Sequence, residues 1–257
     1  MDTPESVLVD QKTGTAYVSN IEPGGGGYWA GDGKAFISRL KPGGEPDLLR
    51  WKTSTPEMLL HAPKGMCLAG ESLYVADNRK VVGFPLSGPD VGGTVQGLTG
   101  ERLNDMATDG KAVYVSDTGA AKIYRIDDKG HTAMPAPEGI NGITFFGGKM
   151  FGVSWGGHEV YELDPAGSAE AVPFGLASHF KTLDGIEVLD DGTFVVSDLE
   201  ADGVYTISPD RKTVRKLVSV KSPADIGVDR KRGLLYVPSF NEGRVTVYKL
   251  EKSPAAP

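Results

Sequence analysis

A short apolar phrase returns about every 40 residues along this chain, and it constrains the fold more than any other feature. Six copies align on one anchor position, which holds Glu5, Lys64, Asn104, Asn141, Asp184 and Ala224. The intervals between successive anchors are 59, 40, 37, 43 and 40 residues. A second phrase follows each anchor, as in YVSD (114–117), and a third strand-like segment follows that, as in KIYRID (122–127). A repeat of this length with four short strands per unit is typical of propeller blades.

We therefore predict an all-β chain that folds as a six-bladed β-propeller, with four-stranded blades around a central channel. A single domain should cover residues 1–257, with blades that start near residues 5, 64, 104, 141, 184 and 224. A β-sandwich is the competing interpretation. It explains neither the period nor the second phrase that stays in step with it.

The composition excludes several classes of protein. The 257 residues are 39% hydrophobic, which is enough for a large core. The net charge of −7 offers no basic surface to a nucleic acid. No apolar run approaches the roughly 18–20 residues of a membrane helix, so we expect a soluble chain. The chain is acidic and shows no extended hydrophobic patch along its sequence, so we expect a monomer. The single cysteine, Cys67, excludes an intrachain disulfide and a multi-cysteine zinc site, and we predict that it is a small buried side chain.

The first interval is long because it contains IEPGGGGYWAGDGKAF (21–36), which we interpret as a loop inserted after the second strand of blade one. The loop is either a plain linker or an aromatic lid, in which Tyr28 and Trp29 cover the channel mouth. The sixth repeat supplies three strands, and only four residues precede Glu5. We therefore expect the natural coding sequence to start further upstream, with a leader. That would favour an exported or periplasmic protein, and its absence a cytoplasmic one.

The first strand of each propeller blade lines the channel, so the six anchors should form a ring. Two carboxylates and two amide oxygens that converge on one axis match the coordination shell of a hard cation. The ring contains no sulfur and no histidine, which argues against zinc or copper. The alternative is that these side chains pair with neighbouring backbone and hold the ring together without a metal.

These anchors, together with Arg102-Leu103-Asn104-Asp105, resemble those of a known family over essentially the whole chain. It is the senescence-marker-protein, gluconolactonase and luciferin-regenerating-enzyme family, with regucalcin and, more distantly, the paraoxonases as relatives. The resemblance implies one divalent metal in the channel, most often calcium. Its ligands would be Glu5, Asn104, Asn141 and Asp184.

The resemblance also implies hydrolysis of a lactone or a related small ester. Asp184 would be the catalytic residue, because it could orient or deprotonate the attacking water. Arg102, Lys64 and Asn104 would contact the substrate. Trp155 would join them if it faces the channel mouth, but it could instead pack between blades.

Two features depart from the family pattern. The usual E-G-P at the first anchor is Glu5-Ser6-Val7, and Lys64 places a cation on the ring. By formal charge Glu5, Asp184 and Lys64 sum to −1, and a divalent metal would make the ring +1. That charge suits a substrate with a carboxylate or an oxyanion. Equally, the ammonium could bridge the two carboxylates and weaken or replace the metal.

Several other residues invite a functional interpretation. Residues 152–156 match G-x-S-x-G, but the motif requires a strand–turn–helix context, so we predict a structural role for Ser154. We align it with Ser19, Ser116 and Ser197, so that Trp155 replaces the Asp or Asn that ends this phrase in four other blades. His179 should lie in a surface loop or near the site. Asp225 should either act as a channel acid or pair with backbone.

Two other functional classes remain possible. The chain could be a non-catalytic binding or scaffold propeller of the NHL type. It could also belong to the strictosidine-synthase-like group, which would want a glutamate base without a strong metal shell. The converging polar ring favours the metal-dependent hydrolase over both.

Overall fold

Strands make up nearly all of the regular structure in this computed structural model, which describes residues 1–22, 27–87 and 92–250. Blade one contains β1 Pro4–Val9, β2 Ala16–Asn20, β3 Phe36–Leu40 and β4 Pro46–Thr53. Blade two contains β5 Pro63–Ala69, β6 Ser72–Asp77, β7 Lys80–Pro85 and β8 Gly93–Thr94. Blade three contains β9 Leu103–Thr108, β10 Val113–Asp117, β11 Lys122–Asp127 and β12 Gly130–Pro135.

The second half of the chain repeats this plan. Blade four contains β13 Ile140–Phe146, β14 Lys149–Ser154, β15 Val160–Leu163 and β16 Val172–Pro173. Blade five contains β17 Leu183–Val188, β18 Phe194–Asp198, β19 Gly203–Ile207 and β20 Val214–Ser219. Blade six contains β21 Gly227–Asp229, β22 Leu234–Ser239 and β23 Arg244–Lys249. Two three-residue 3-10 helices, Ala177–His179 and Phe240–Glu242, are the helices of the described part, and neither is long enough to cross a membrane.

Each blade is an antiparallel sheet whose strands follow chain order from the channel outward. Five blades have four strands, and the sixth has three among the residues that the structure describes. The six-bladed propeller predicted from the repeat is therefore confirmed, and so are the three strands predicted for the sixth repeat.

Apolar side chains fill the space between neighbouring blades. The buried hydrophobic residues of the described chain form six clusters, and each cluster joins two adjacent blades. One of them packs Val7 and Val18 of blade one against Tyr236 of blade six, which closes the ring. Cys67 lies in the cluster between blades two and three, as predicted, and burial raises the pKa of its thiol. Burial between the blades is the main force that holds them in a ring.

The innermost strands share an irregularity at the anchor. In blade one, Pro4 pairs with Asn20 and Val7 pairs with Val18, so Glu5 and Ser6 together oppose the single residue Ser19. The same β-bulge occurs in the innermost strands of blades two to five. A bulge re-aims the side chains around it. Here the anchor residue and the residue after it line different ends of the channel.

Candidate functional site

One cavity, called here the ring cavity, opens at the end of the channel where the anchors point. Its volume is about 480 Å³. All of the predicted site residues line it, namely Glu5, Lys64, Arg102, Asn104, Asn141, Trp155 and Asp184. The anchor of blade six, Ala224, is completely buried and contributes no polar group. The bulges bring these side chains together from five blades.

The floor of the ring cavity contains charged groups that water hardly reaches. Lys64 Nζ lies 3.5 Å from Glu5 Oε1, and the two side chains are 4% and 5% exposed. Glu5 Oε2, Asn141 Oδ1 and Asp184 Oδ1 are buried and accept no hydrogen bond from any described residue. A buried acceptor without a donor costs about 1–3 kcal/mol, so three in one cavity require an explanation.

The proton affinities of the two ring carboxyls reflect this setting. Burial raises the pKa of Asp184 well above its ordinary value, and the nearby Glu5 carboxylate raises it further. The Lys64 ammonium and a hydrogen bond with Asn141 act in the opposite direction. Burial also raises the pKa of Glu5, and the Lys64 ammonium acts against it. Both carboxyls therefore need more positive charge than Lys64 supplies before they ionise easily.

The donor set fits a hard cation. Glu5, Asn104, Asn141 and Asp184 offer two carboxylates and two amide oxygens, the ligand types that calcium prefers. Three of these residues contribute the oxygens that accept no hydrogen bond. The described chain has no group of three or more His, Cys, Asp or Glu side chains arranged to hold a metal, so the candidate shell depends on the two asparagines as much as on the two carboxyls.

Aromatic side chains surround the mouth of the ring cavity. Tyr28, Trp29, Trp155 and Phe240 all line it. The Tyr28 and Phe240 rings meet edge to face with centroids 4.8 Å apart, and the Trp29 ring lies 4.2 Å from Lys64 Nζ. The loop after β2 thus brings two aromatic residues over the channel, which agrees with the lid interpretation. Residues 23–26 of that loop lie outside the described residues.

The backbone beside Arg102 is held by an aspartate at the end of β10. Asp117 accepts hydrogen bonds from the backbone N–H groups of Glu101 and Arg102, both at 2.9 Å. Asp198 does the same for Lys181 and Thr182 in blade five. The last residue of the second strand therefore fixes the chain that enters the innermost strand of the same blade.

This pattern corrects the sequence alignment of blade four. Ser154 pairs with Ile140, as Asp198 pairs with Leu183, so it is equivalent to the strand-ending Asp and not to Ser197. Ser197 accepts the bulge N–H of Gly185, a role that Val153 cannot fill in blade four. Ser154 Oγ instead donates to the Glu138 carbonyl at 2.6 Å and accepts from Gly157 N–H. Its structural role is thereby supported, but the predicted alignment was wrong by one residue.

The corrected register also explains Trp155. It is the residue after the strand-ending position, so it does not replace an Asp. Thr118, Leu199 and Phe240 occupy the equivalent position in other blades, and all three line the ring cavity. Sequence reasoning missed these residues and Asn241. The available signal was their shared position, one residue beyond the end of the second phrase.

Two further candidates lie away from the ring cavity. His179 is exposed and does not line it. Asp225, with Asp105, lines a second cavity of about 370 Å³ at the other end of the channel. Asp225 Oδ2 accepts a hydrogen bond from Ser6 Oγ at 2.5 Å, and Asp105 accepts the N–H groups of Met106 and Ile143. These carboxyls connect innermost strands and are not part of the ring.

Comparisons with known proteins agree with the fold. No protein-family model and no curated protein sequence matches the chain. A luciferin-regenerating enzyme has a TM-score of 0.69 and 15% identity, over 92% of this chain and 83% of its own. A catalytically inactive variant of virginiamycin B lyase from Staphylococcus aureus, solved with quinupristin, has a TM-score of 0.62 and 13% identity, over 96% and 95%. This chain is a six-bladed β-propeller.

A third neighbour is a protein of unknown function from Bacteroides thetaiotaomicron, with a TM-score of 0.68 and 12% identity, over 96% of this chain and 70% of its own. The lyase and the luciferin-regenerating enzyme are propeller enzymes, and the latter bears a name of the family that the sequence resembles. At these identities the likeness shows the fold alone.

Proposed function

We propose that this chain hydrolyses a lactone or a related small ester, with a divalent cation, calcium foremost, bound in the ring cavity. One observation carries the proposal. Residues from five blades converge there, and three of their buried oxygens accept no hydrogen bond from the described protein. We expect the chain to act on its small-molecule substrate as a monomer.

The cation would be held by Glu5, Asn104, Asn141 and Asp184. When bound, it would polarise the carbonyl of the substrate and stabilise the negative charge that develops on its oxygen. Asn104 and Asn141 are neutral ligands, so they would satisfy the site without cancelling its charge. The two carboxylates supply the affinity.

Asp184 is suited to positioning and deprotonating the attacking water. Its carboxyl is 3% exposed, and burial together with the Glu5 charge raises its pKa. A cation bound beside it would keep this carboxyl ionised, and the ionised form is the one that can accept a proton from water. Asp184 therefore combines the roles of ligand and general base.

Arg102 and the aromatic mouth would hold the remainder of the substrate. No Asp or Glu of the described chain lies within ion-pair distance of the Arg102 guanidinium, so its charge remains available to a ligand. Its Cζ lies 5.9 Å from the Trp29 ring, beside the cavity opening. Arginine can bind a carboxylate or a carbonyl with two parallel hydrogen bonds. Trp155 and Phe240 would cover the apolar parts of the substrate.

The ring cavity distinguishes this proposal from the other classes. The virginiamycin B lyase neighbour is described as catalytically inactive when a histidine is replaced by alanine. In the described part of this chain, no histidine lines the cavity, which favours hydrolysis over that chemistry. A scaffold propeller would have no use for buried oxygens that accept no hydrogen bond, because burying them costs stability.

The test combines metal content with turnover. Elemental mass spectrometry of the chain purified in calcium should find about one divalent ion, which Asp184→Asn should lose. The same variant should lose hydrolysis of a panel of lactones and aryl esters by about 10²–10⁴-fold, the range for a positioned acid–base group. Asp128→Asn makes the same chemical change at an exposed position and should alter neither result. Full hydrolysis in Asp184→Asn, or in wild type after chelation, would contradict the proposal.

A further inference from the structure

A lysine occupies a ring that otherwise offers oxygen ligands to a cation. Lys64 lies in β5 at the anchor of blade two, and its ammonium is almost completely shielded from water. Its distance of 3.5 Å from Glu5 Oε1 is an ion-pair distance, longer than the 2.7–3.2 Å of a good hydrogen bond. Glu5 Oε2 remains without a donor in the described structure. The ammonium therefore neutralises Glu5 without satisfying it.

The charge of Lys64 acts on both carboxyls of the ring. The ammonium lies beside Glu5 and lines the same cavity as Asp184. A lysine ammonium carries one charge on a flexible four-carbon stem. A divalent ion at Glu5 and Asp184 would face this charge at close range, in a cavity where little water screens the repulsion. The two cations compete for the same carboxylates.

Trp29 contacts the ammonium in addition to Glu5. Its ring lies 4.2 Å from Lys64 Nζ, within the range of a cation–π contact. The backbone of Trp29 is itself held, because Asn78 Nδ2 donates to its carbonyl oxygen at 2.8 Å. A small movement of the lysine stem away from Glu5 could therefore keep the ammonium in contact with an aromatic face.

We propose that Lys64 is a tethered competitor for the ring cation: it neutralises Glu5 while the divalent ion is absent, and the ion binds by displacing Nζ from Glu5 while Nζ stays in contact with the Trp29 ring. This inference rests on the proposed function, which places a divalent cation in the ring. It adds that the charge of Lys64 lowers the affinity of the site for the ion, so that the ion dissociates readily. It also adds that the surroundings of the Trp29 ring change when the ion binds.

Calcium affinity measured by isothermal titration calorimetry tests the competition. Lys64→Met removes the charge and keeps a side chain of similar length. It should bind calcium at least tenfold more tightly than wild type, with one ion per chain. Lys64→Gln should do the same, which guards against a folding defect in either variant, and circular dichroism should confirm that both keep the strand signal. Lys129→Met removes an exposed lysine and should match wild type.

Tryptophan fluorescence gives a second readout that does not depend on activity. The chain has three tryptophans, so the Trp29 signal is the calcium-induced change that Trp29→Phe removes. That change should be present in wild type and absent in Lys64→Met, because no ammonium then shifts against the ring. A Trp29 signal that survives in Lys64→Met would overturn the displacement.

The outcomes separate this inference from the proposed function. Equal or weaker calcium binding in the Lys64 variants would overturn the competition and leave the metal site intact. Tighter binding in both variants would support it. Absence of calcium binding in wild type and variants alike would overturn the proposed metal site, and the competition with it.

Discussion

Replacing Gly65 by alanine tests how closely the innermost strands approach one another around the channel. Gly65 follows Lys64 in β5 and faces β9 of the next blade. A Cβ added at this position would lie 2.1 Å from Asp105 Oδ1, 2.5 Å from Asp105 Cα and 2.9 Å from Met106 N. Two of these three atoms belong to the backbone, so a change of rotamer cannot relieve the overlap. The strands themselves would have to separate.

The expected loss of stability follows from this geometry. Overpacking a well-filled interior costs about 1–3 kcal/mol, and a backbone clash places Gly65→Ala at about 3 kcal/mol. At about 2.1 cal/mol/K per residue, the unfolding entropy of 257 residues is about 0.5 kcal/mol/K, so Tm should fall by about 6 °C.

Differential scanning calorimetry measures this shift directly, and Gly93→Ala is the matched control. Gly93 lies in the edge strand β8, and a Cβ added there would meet no atom within 4 Å. Its Tm should stay within about 2 °C of wild type, since an alanine without a clash changes stability by only about 0.4–1 kcal/mol. If Gly65→Ala melted within the same margin, the innermost strands would not be packed as tightly as the structure indicates.

Three other expectations concern single side chains. Burial raises the pKa of Asp105 from 3.8 to about 8. Between these pH values the folded chain holds a proton that the unfolded chain has lost, so the free energy of unfolding measured in urea should fall as the pH rises. The fall should be less steep in Asp105→Asn. Ser154→Ala should lose about 1–2 kcal/mol in the same urea titrations and keep its hydrolytic activity, whereas an inactive but folded variant would identify Ser154 as the nucleophile. Trp155→Ala should raise the KM for an aryl ester severalfold with kcat nearly unchanged, and an equal fall in kcat would show that the tryptophan acts in the chemical step.

The repeat made the fold predictable because blades differ little in what they must bury. Each second phrase, such as YVSD (114–117), alternates between neighbouring hydrophobic clusters, and this alternation is visible in one dimension. The ring residues were predictable for a related reason. Each blade contributes one side chain from the same position. A polar or charged residue at that position stands out, because the apolar residues around it are similar in all six repeats.

The mouth of the cavity was harder to predict. Its residues Thr118, Trp155, Leu199 and Phe240 share a position but no chemical property, so no pattern marks them. In blade four, the serine of the phrase GVSW (152–155) suggested an alignment with the serines of the other second phrases, and that alignment was wrong by one residue. Pairing across the sheet decides the register, and the bulge that shifts it leaves no reliable trace in the sequence.

The distance between Lys64 and Glu5 was equally hidden. Two anchors on neighbouring blades could have pointed apart or formed a close hydrogen-bonded pair. The separation of 3.5 Å results from how tightly β1 and β5 approach each other, which depends on packing throughout both blades. Sequence reasoning left two roles open for the ammonium, and only the tertiary geometry shows that it reaches one carboxylate incompletely.

Each bulge gives two adjacent residues, the anchor and the one after it, different roles. This difference explains why the anchors are free to vary. Asp105 connects its strand to Ile143 of the next blade, and Asp225 connects blade six to Ser6 of blade one. In blades one, three and six the residue after the anchor thus holds the innermost strands together through its side chain, so the anchor itself need not. Conservative changes at Asn104 should therefore weaken cation binding and leave Tm within about 2 °C of wild type, as for most substitutions outside a core or network. Asp225→Ala should do the reverse, because it removes a buried partner and leaves Ser6 Oγ unpaired. Suppose instead that calorimetry found a lower Tm for the changes at Asn104 and an unchanged Tm for Asp225→Ala. The anchors would then hold the strands together, and the ring could not be a ligand site that the fold leaves free.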